Sequence, residues 1–213
     1  MAPAPNPRLY LVANFTPEMP EAEYLQRCEA ALKGGVGVLQ LRAKHAEVQT
    51  QIRLGEALRD LTRKYSATFF VNDRVDVALA VQADGVHLGQ QDLPPQFART
   101  LAPDLLIGRS THAPKQALQT VAEGAHYFAV GPIWKTPTKA GRQAVGLEYA
   151  RWAVKQKLPI PFYAIGNVDL DNITDLVMAG VQRVAVVRAI LNAPDPEHAA
   201  LGFGKVLELV HAG

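Results

Sequence analysis

The chain has 213 residues, 48% of them hydrophobic and 20% charged, with a formal net charge of +2. That length and apolar content suit one large domain with a full core, or two small ones. So balanced a charge gives no hint of the basic stripe of a nucleic-acid-binding surface, and no apolar run approaches the roughly 18 residues of a membrane span.

At the N-terminus, "MAPAPNPRLY" has neither a basic start nor an apolar stretch, so it does not read as a secretory signal. The Pro-rich first seven residues are expected to be loosely held. The single cysteine, Cys28, lies in "EAEYLQRCEAALKGG" with Leu25 and Leu32 on the same helical face. A packed, inert thiol is expected there. One thiol cannot form an internal disulfide, and a reducing, cytoplasmic compartment is the default.

Further on, short apolar runs alternate with amphipathic stretches. The runs are "RLYLVANF", "VGVLQLRAK", "ATFFVND", "GVHLGQ", "LLIGRST", "HYFAVGPIW", "PFYAIGN" and "RVAVVRAI". Segments such as "VQTQIRLGEALRDLTRKY" and "PKQALQTVAEGA" between them have helical period. Near-continuous apolar strands are those buried on both faces, as parallel strands between helices are. Eight such strands, each followed by a helical segment, predict an α/β fold: a (β/α)8 TIM barrel forming a single domain over residues 1–213. An open doubly wound sheet would want a glycine fingerprint after the first strand, and "RLYLVANFTPEMPEAEY" has none.

In such barrels chemistry collects where strands end. Gln40, Arg42 and Lys44 alternate along strand two, so their side chains share one direction. Asn72 and Asp73 end strand three, and Asp92 follows strand four. Two carboxylates one βα unit apart could be general acid and base, could hold Mg2+, or could cap the helices that follow them. Ser110 and His112 end strand five. In "GPIWKTPTKAGR", Pro137 stiffens a turn that offers Thr136, Thr138 and Lys139, all suited to phosphate oxygens. Gly166 and Asn167 follow strand seven, and Val187 and Arg188 follow strand eight, where barrels often cradle a phosphate. So many anion donors suit two phosphorylated small molecules, or a diphosphate with metal plus a monophosphate. His87 reads as a satisfied core or inter-layer histidine, and Trp134 as a packing residue. No His/Cys cluster suggests zinc.

The motifs "LQLRAK", "VNDRVDVALAVQADGVHLGQQDLP", "IGRSTH", "GPIWKTPTKAG", "AIGN" and "VAVVRAI" resemble those of thiamine-phosphate synthases in order and spacing. The resemblance runs from Tyr10 to about Ile190, and its most specific parts are the "NDRVDVALA" block and "TPTK". It implies a Mg2+-dependent transferase that joins a hydroxymethylpyrimidine diphosphate to a thiazole phosphate. Under it, Gln40, Arg42, Lys44, Asn72, Ser110 and Lys139 hold the pyrimidine diphosphate, with Arg42, Lys44, Ser110 and Lys139 catalytic. Asp73 and Asp92 bind Mg2+. Thr136, Thr138, Gly166, Val187 and Arg188 take the thiazole phosphate.

The chain also departs from the family pattern. Ala43 and His45 stand where acidic residues are common, Asn167 where a second glycine is usual, and Arg188 where serine is usual. Arg109 is unusual as well. A related branch, the thiazole tautomerases, places a catalytic histidine where this chain has Pro132. A non-catalytic binder of thiamine phosphates is the alternative of a different class. A homodimer is compatible with the sequence, which does not itself give an oligomeric state.

Overall fold

A computed structural model of the chain describes residues 7–136, 141 and 143–208. Strands and helices alternate in the expected order. β1 (Leu9–Asn14) leads to α1 (Glu21–Lys33), β2 (Val38–Arg42) to α2 (Val48–Lys64), and β3 (Thr68–Asn72) to α3 (Val75–Ala80). Then come β4 (Gly85–Leu88) and α4 (Pro95–Leu101), β5 (Leu106–Thr111) and α5 (Pro114–Ala122), and β6 (Tyr127–Val130) and α6 (Gly146–Gln156). The last turns are β7 (Phe162–Ile165) with α7 (Ile173–Met178), and β8 (Val184–Val186) with the short α8 (Arg188–Leu191) and α9 (Pro196–Glu208). All neighbouring strands pair in parallel, and β1 pairs with β8 to close an eight-stranded barrel. No helix among the described residues is long and apolar enough to cross a membrane.

Each helix seals the barrel with one face. In α2 the buried positions are Gln51, Leu54, Gly55, Leu58 and Thr62, the spacing of one helical stripe. Cys28 is fully buried on α1, and burial pushes its thiol up to about 12, so the reading of an inert cysteine stands. The chain is tied down at its seventh residue, where the Tyr163 hydroxyl donates to the Pro7 carbonyl at 2.8 Å.

Strand residues split by period two into an outer core against the helices and an inner layer. The inner layer is aromatic: Tyr10, Phe70, Tyr127 and Tyr163 pack with Val12, Val38, Leu106 and Ala185. The Tyr127 ring stands edge-on to Phe70 and to Tyr163, with centroids 5.4 Å apart in both pairs. Space for it comes from the paired strand residue, Gly108, where a Cβ would lie 2.0 Å from Tyr127 Cζ. These rings plug the lower barrel and form the floor of what lies above.

Candidate active site

Register carries the polar residues up from that floor. Gln40 pairs with Phe70, Asn72 with His87, and Ser110 with Ala129, and each points inward, one inward position beyond Val38, Phe70 and Gly108 on its own strand. A cavity of about 350 Å³ opens there. Its wall includes Gln40, Arg42, Asn72 and Ser110, with Thr136 from the segment after β6. Gly166, Val187 and Arg188 complete the opposite side, beyond β7 and β8. Thr138 and Lys139 lie outside the described residues. The expectation that polar strand ends converge on one mouth therefore holds for every described residue in these two groups except Lys44, which is not in the wall.

Lys44, Asp73 and Asp92 form a charged cluster beside it. β2 ends at Arg42, and Lys44 reaches sideways to Asp73, with Nζ 2.7 Å from Oδ2. The half-buried Arg42 feels the Asp73 charge and also donates to Asn14 Oδ1. Asp73 sits at φ +62°, a left-handed conformation that Asp tolerates better than most residues, and its N–H donates to the His87 carbonyl. Burial, and then the adjoining Asp92 carboxyl, push the Asp73 carboxyl above the usual range despite Lys44. Burial also raises Asp92, but hydrogen bonds from Asp73 and from the Gly89 N–H, at 2.7 Å, outweigh it and hold Asp92 below that range. Two like charges this close disfavour each other's ionisation, and the upward shift falls on Asp73.

Neither aspartate caps a helix. The N-cap of α3 is Arg74 and that of α4 is Pro94, both without side-chain cap bonds. That removes the capping alternative and leaves two carboxylates facing a lysine and an arginine. Hard carboxylate oxygens suit Mg2+, which typically takes one or two of them and fills its remaining positions with water and substrate oxygens. Among the described residues no three His, Cys, Asp or Glu side chains converge, so the pair fits a Mg2+ ion shared with a ligand rather than a closed protein cage. A cation at this pair would relieve that repulsion.

Across the cavity, Gly166 has φ +117°, and a Cβ there would lie 2.5 Å from Pro132 Cα. Only glycine fits that turn. Asn167 follows at φ +55°, and its Oδ1 accepts from Arg188 Nη2 at 2.9 Å. Arg188 thus adds a held guanidinium to the side of the mouth far from Asp73.

Sequence reasoning missed the network beneath Ser110. His87 is indeed satisfied, with Nδ1 2.8 Å from the Tyr127 hydroxyl and Nε2 2.9 Å from Ser110 Oγ, but it also lines the cavity. Its inward position on β4 was the available signal, since it falls in step with Asn72 on the neighbouring strand. His112 lines the wall too and donates from Nδ1 to the Gly131 carbonyl. Trp134 stays out of the wall and packs on the outer core, as read.

The profile of a family described as thiamine monophosphate synthase matches residues 9–190. A thiamine-phosphate synthase of Thermus thermophilus is 52% identical over 193 residues, covering 91% of this chain and 93% of that protein. One from Deinococcus radiodurans is 52% identical over 204 residues, covering 93% of this chain and 73% of that protein. The solved thiamine phosphate pyrophosphorylase of Pyrococcus furiosus superposes with a TM-score of 0.87 at 38% identity, covering 96% of each chain. A barrel of this topology and a match over nearly its whole length place the chain: it belongs to the thiamine monophosphate synthase family and is an enzyme of the transferase class.

Proposed function

We propose that the chain is a thiamine-phosphate synthase, joining 4-amino-2-methyl-5-hydroxymethylpyrimidine diphosphate to 4-methyl-5-(2-hydroxyethyl)thiazole phosphate, or its carboxylated form, and releasing diphosphate. The observation that carries the reading is the division of one mouth into two cationic ends. Arg42 and Lys44 stand with Asp73 and Asp92 on one side, and Arg188 stands with Asn167 on the other. A diphosphate suits the first end and a monophosphate the second.

In this reading Asp73 and Asp92 would hold Mg2+, which would supply charge neutralisation for a diphosphate leaving group. Arg42, Lys44 and Lys139 add fixed positive charge at the same oxygens, and Ser110 donates a hydrogen bond. The carbon–oxygen bond breaks, and the diphosphate leaves with the electron pair. The amino-pyrimidine stabilises the carbocation left on its exocyclic carbon. The thiazole nitrogen, held in line by contacts to its phosphate at Thr136, Thr138, Gly166, Val187 and Arg188, then donates its lone pair to that carbon. No proton is removed, which accords with a wall rich in donors whose histidines, His87 and His112, are engaged by Tyr127, Ser110 and the Gly131 carbonyl.

A diphosphate-release assay tests the reading. Product should require both substrates and Mg2+ together. Binding of either substrate without turnover would instead mark a phosphate-binding protein that has lost catalysis. The tautomerase alternative is disfavoured by Pro132, which occupies the wall where that branch carries its histidine.

A further inference from the structure

A continuous hydrogen-bonded chain crosses the barrel beneath the cavity. Gln40 Nε2 donates to the Tyr10 hydroxyl at 3.1 Å, and the Tyr10 and Tyr127 hydroxyls are 2.9 Å apart. Tyr127 then meets His87 Nδ1 at 2.8 Å, and His87 Nε2 meets Ser110 Oγ at 2.9 Å. Tyr10 and Tyr127 are essentially inaccessible to solvent, and burial pushes both phenols far above their usual range, so each keeps its single proton.

Counting protons gives the chain a direction. The Tyr10 oxygen already accepts from Gln40, so the Tyr10 proton goes to Tyr127 or is buried without a partner, which is costly. The Tyr127 oxygen then accepts from Tyr10, and its own proton goes to His87 Nδ1. An acceptor at Nδ1 requires a neutral ring with its proton on Nε2. That proton is donated to Ser110 Oγ.

We propose that His87 is a positioning residue: held as the Nε2–H tautomer by Tyr127, it occupies a lone pair of Ser110 Oγ and turns the serine proton toward the cavity, so that Ser110 meets an anionic oxygen as a donor. The inference rests on the reading of Ser110 as a contact of the diphosphate substrate. Donors fixed in advance of charge development cost no reorganisation at the moment of reaction. The reversed chain would leave Ser110 spending its proton on His87 and offering only lone pairs to an anion.

The test has two arms. Long-range 15N–1H correlation on the ligand-free, 15N-labelled protein reads the His87 tautomer, with the signal assigned by its loss in His87→Gln. An Nε2–H ring in the wild type, giving way to mixed tautomers in Tyr127→Phe, supports the proposal, and an Nδ1–H ring overturns it. The wild-type tautomer needs no turnover and no variant beyond the assignment, so it decides the proposal even if the synthase reading fails or Tyr127→Phe does not fold. In the second arm, His87→Asn should lower kcat about 10- to 100-fold, as loss of supporting partners typically does, with the KM for the thiazole phosphate unchanged. In a Ser110→Ala background the same substitution should cost almost nothing more. Losses that multiply would show that His87 does not act through Ser110.

Discussion

The Arg188 guanidinium donates to the Asn167 side chain at 2.9 Å, joining the loop after β7 to the start of α8. Asn167 occupies a left-handed turn at φ +55°, and asparagine is among the residues that tolerate it best. The asparagine side chain is therefore tolerated by the backbone and used as an anchor. The two residues act as a pair: an arginine at the mouth, and a carbonyl oxygen that holds it there.

Arg188→Ser should raise the KM for the thiazole phosphate about 10-fold, the worth of one charge-assisted contact of roughly 1.5 kcal/mol. Affinity for the pyrimidine diphosphate should not move. Asn167→Gly should shift the same constant in the same direction by less, since it frees the guanidinium without deleting it. Steady-state kinetics with each substrate varied in turn measures both, and an effect confined to the pyrimidine side would place Arg188 at the wrong substrate.

Asp73→Asn should cut turnover by about 100-fold or more, the range seen when a preorganised electrostatic partner is lost, and should also stabilise the metal-free protein at neutral pH. The Asp73 carboxyl is raised by burial and by Asp92, so the native state holds its proton more tightly than the unfolded chain does. Stability therefore falls as pH rises from the unfolded value, about 3.9, through the raised native one, and the deficit persists above it. Asparagine removes that deficit, so the gain in Tm should be largest near neutral pH and vanish in acid. Thermal melts across pH check this, and a Tm lower than wild type at pH 7 would contradict it.

Lys139→Ala should reduce kcat by orders of magnitude with the Tm unchanged. Lys139 lies outside the described residues, so this prediction rests on the "TPTK" resemblance and on the cationic end of the mouth formed by Arg42 and Lys44. A near-normal rate would remove it from the catalytic set.

Gly108→Ala should cost about 1–3 kcal/mol, the usual penalty of overpacking a filled interior, because its Cβ would strike the Tyr127 ring. Denaturant unfolding reads the loss. Kinetics should show a matching fall in kcat, because Tyr127 is the link between the barrel floor and His87.

The barrel was legible from the chain because its signals are local. Period-two strands and 3.6-residue helices recur, and the inward set Gln40, Arg42, Asn72 and Ser110 follows from alternation alone once the strands are placed. The capping alternative for Asp73 and Asp92 stayed open in the sequence, since aspartate before a helix looks the same whether it caps or not. It was closed by where α3 and α4 begin. Lys44 was expected to point with Gln40 and Arg42, but β2 ends before it, and the side chain turns to Asp73 instead.

The sequence by itself determined the eight-stranded alternation, the family, and which polar residues stand at the strand ends. Only the tertiary structure decided which of them touch. The Asp73–Asp92 carboxyl pair, the Asn167–Arg188 contact, and the chain from Gln40 to Ser110 each join residues from different strands or loops. Local pattern fixes which way a side chain points on its own strand. The stagger and closure of the barrel set which side chain it meets across the mouth, and that depends on register between segments far apart in the chain.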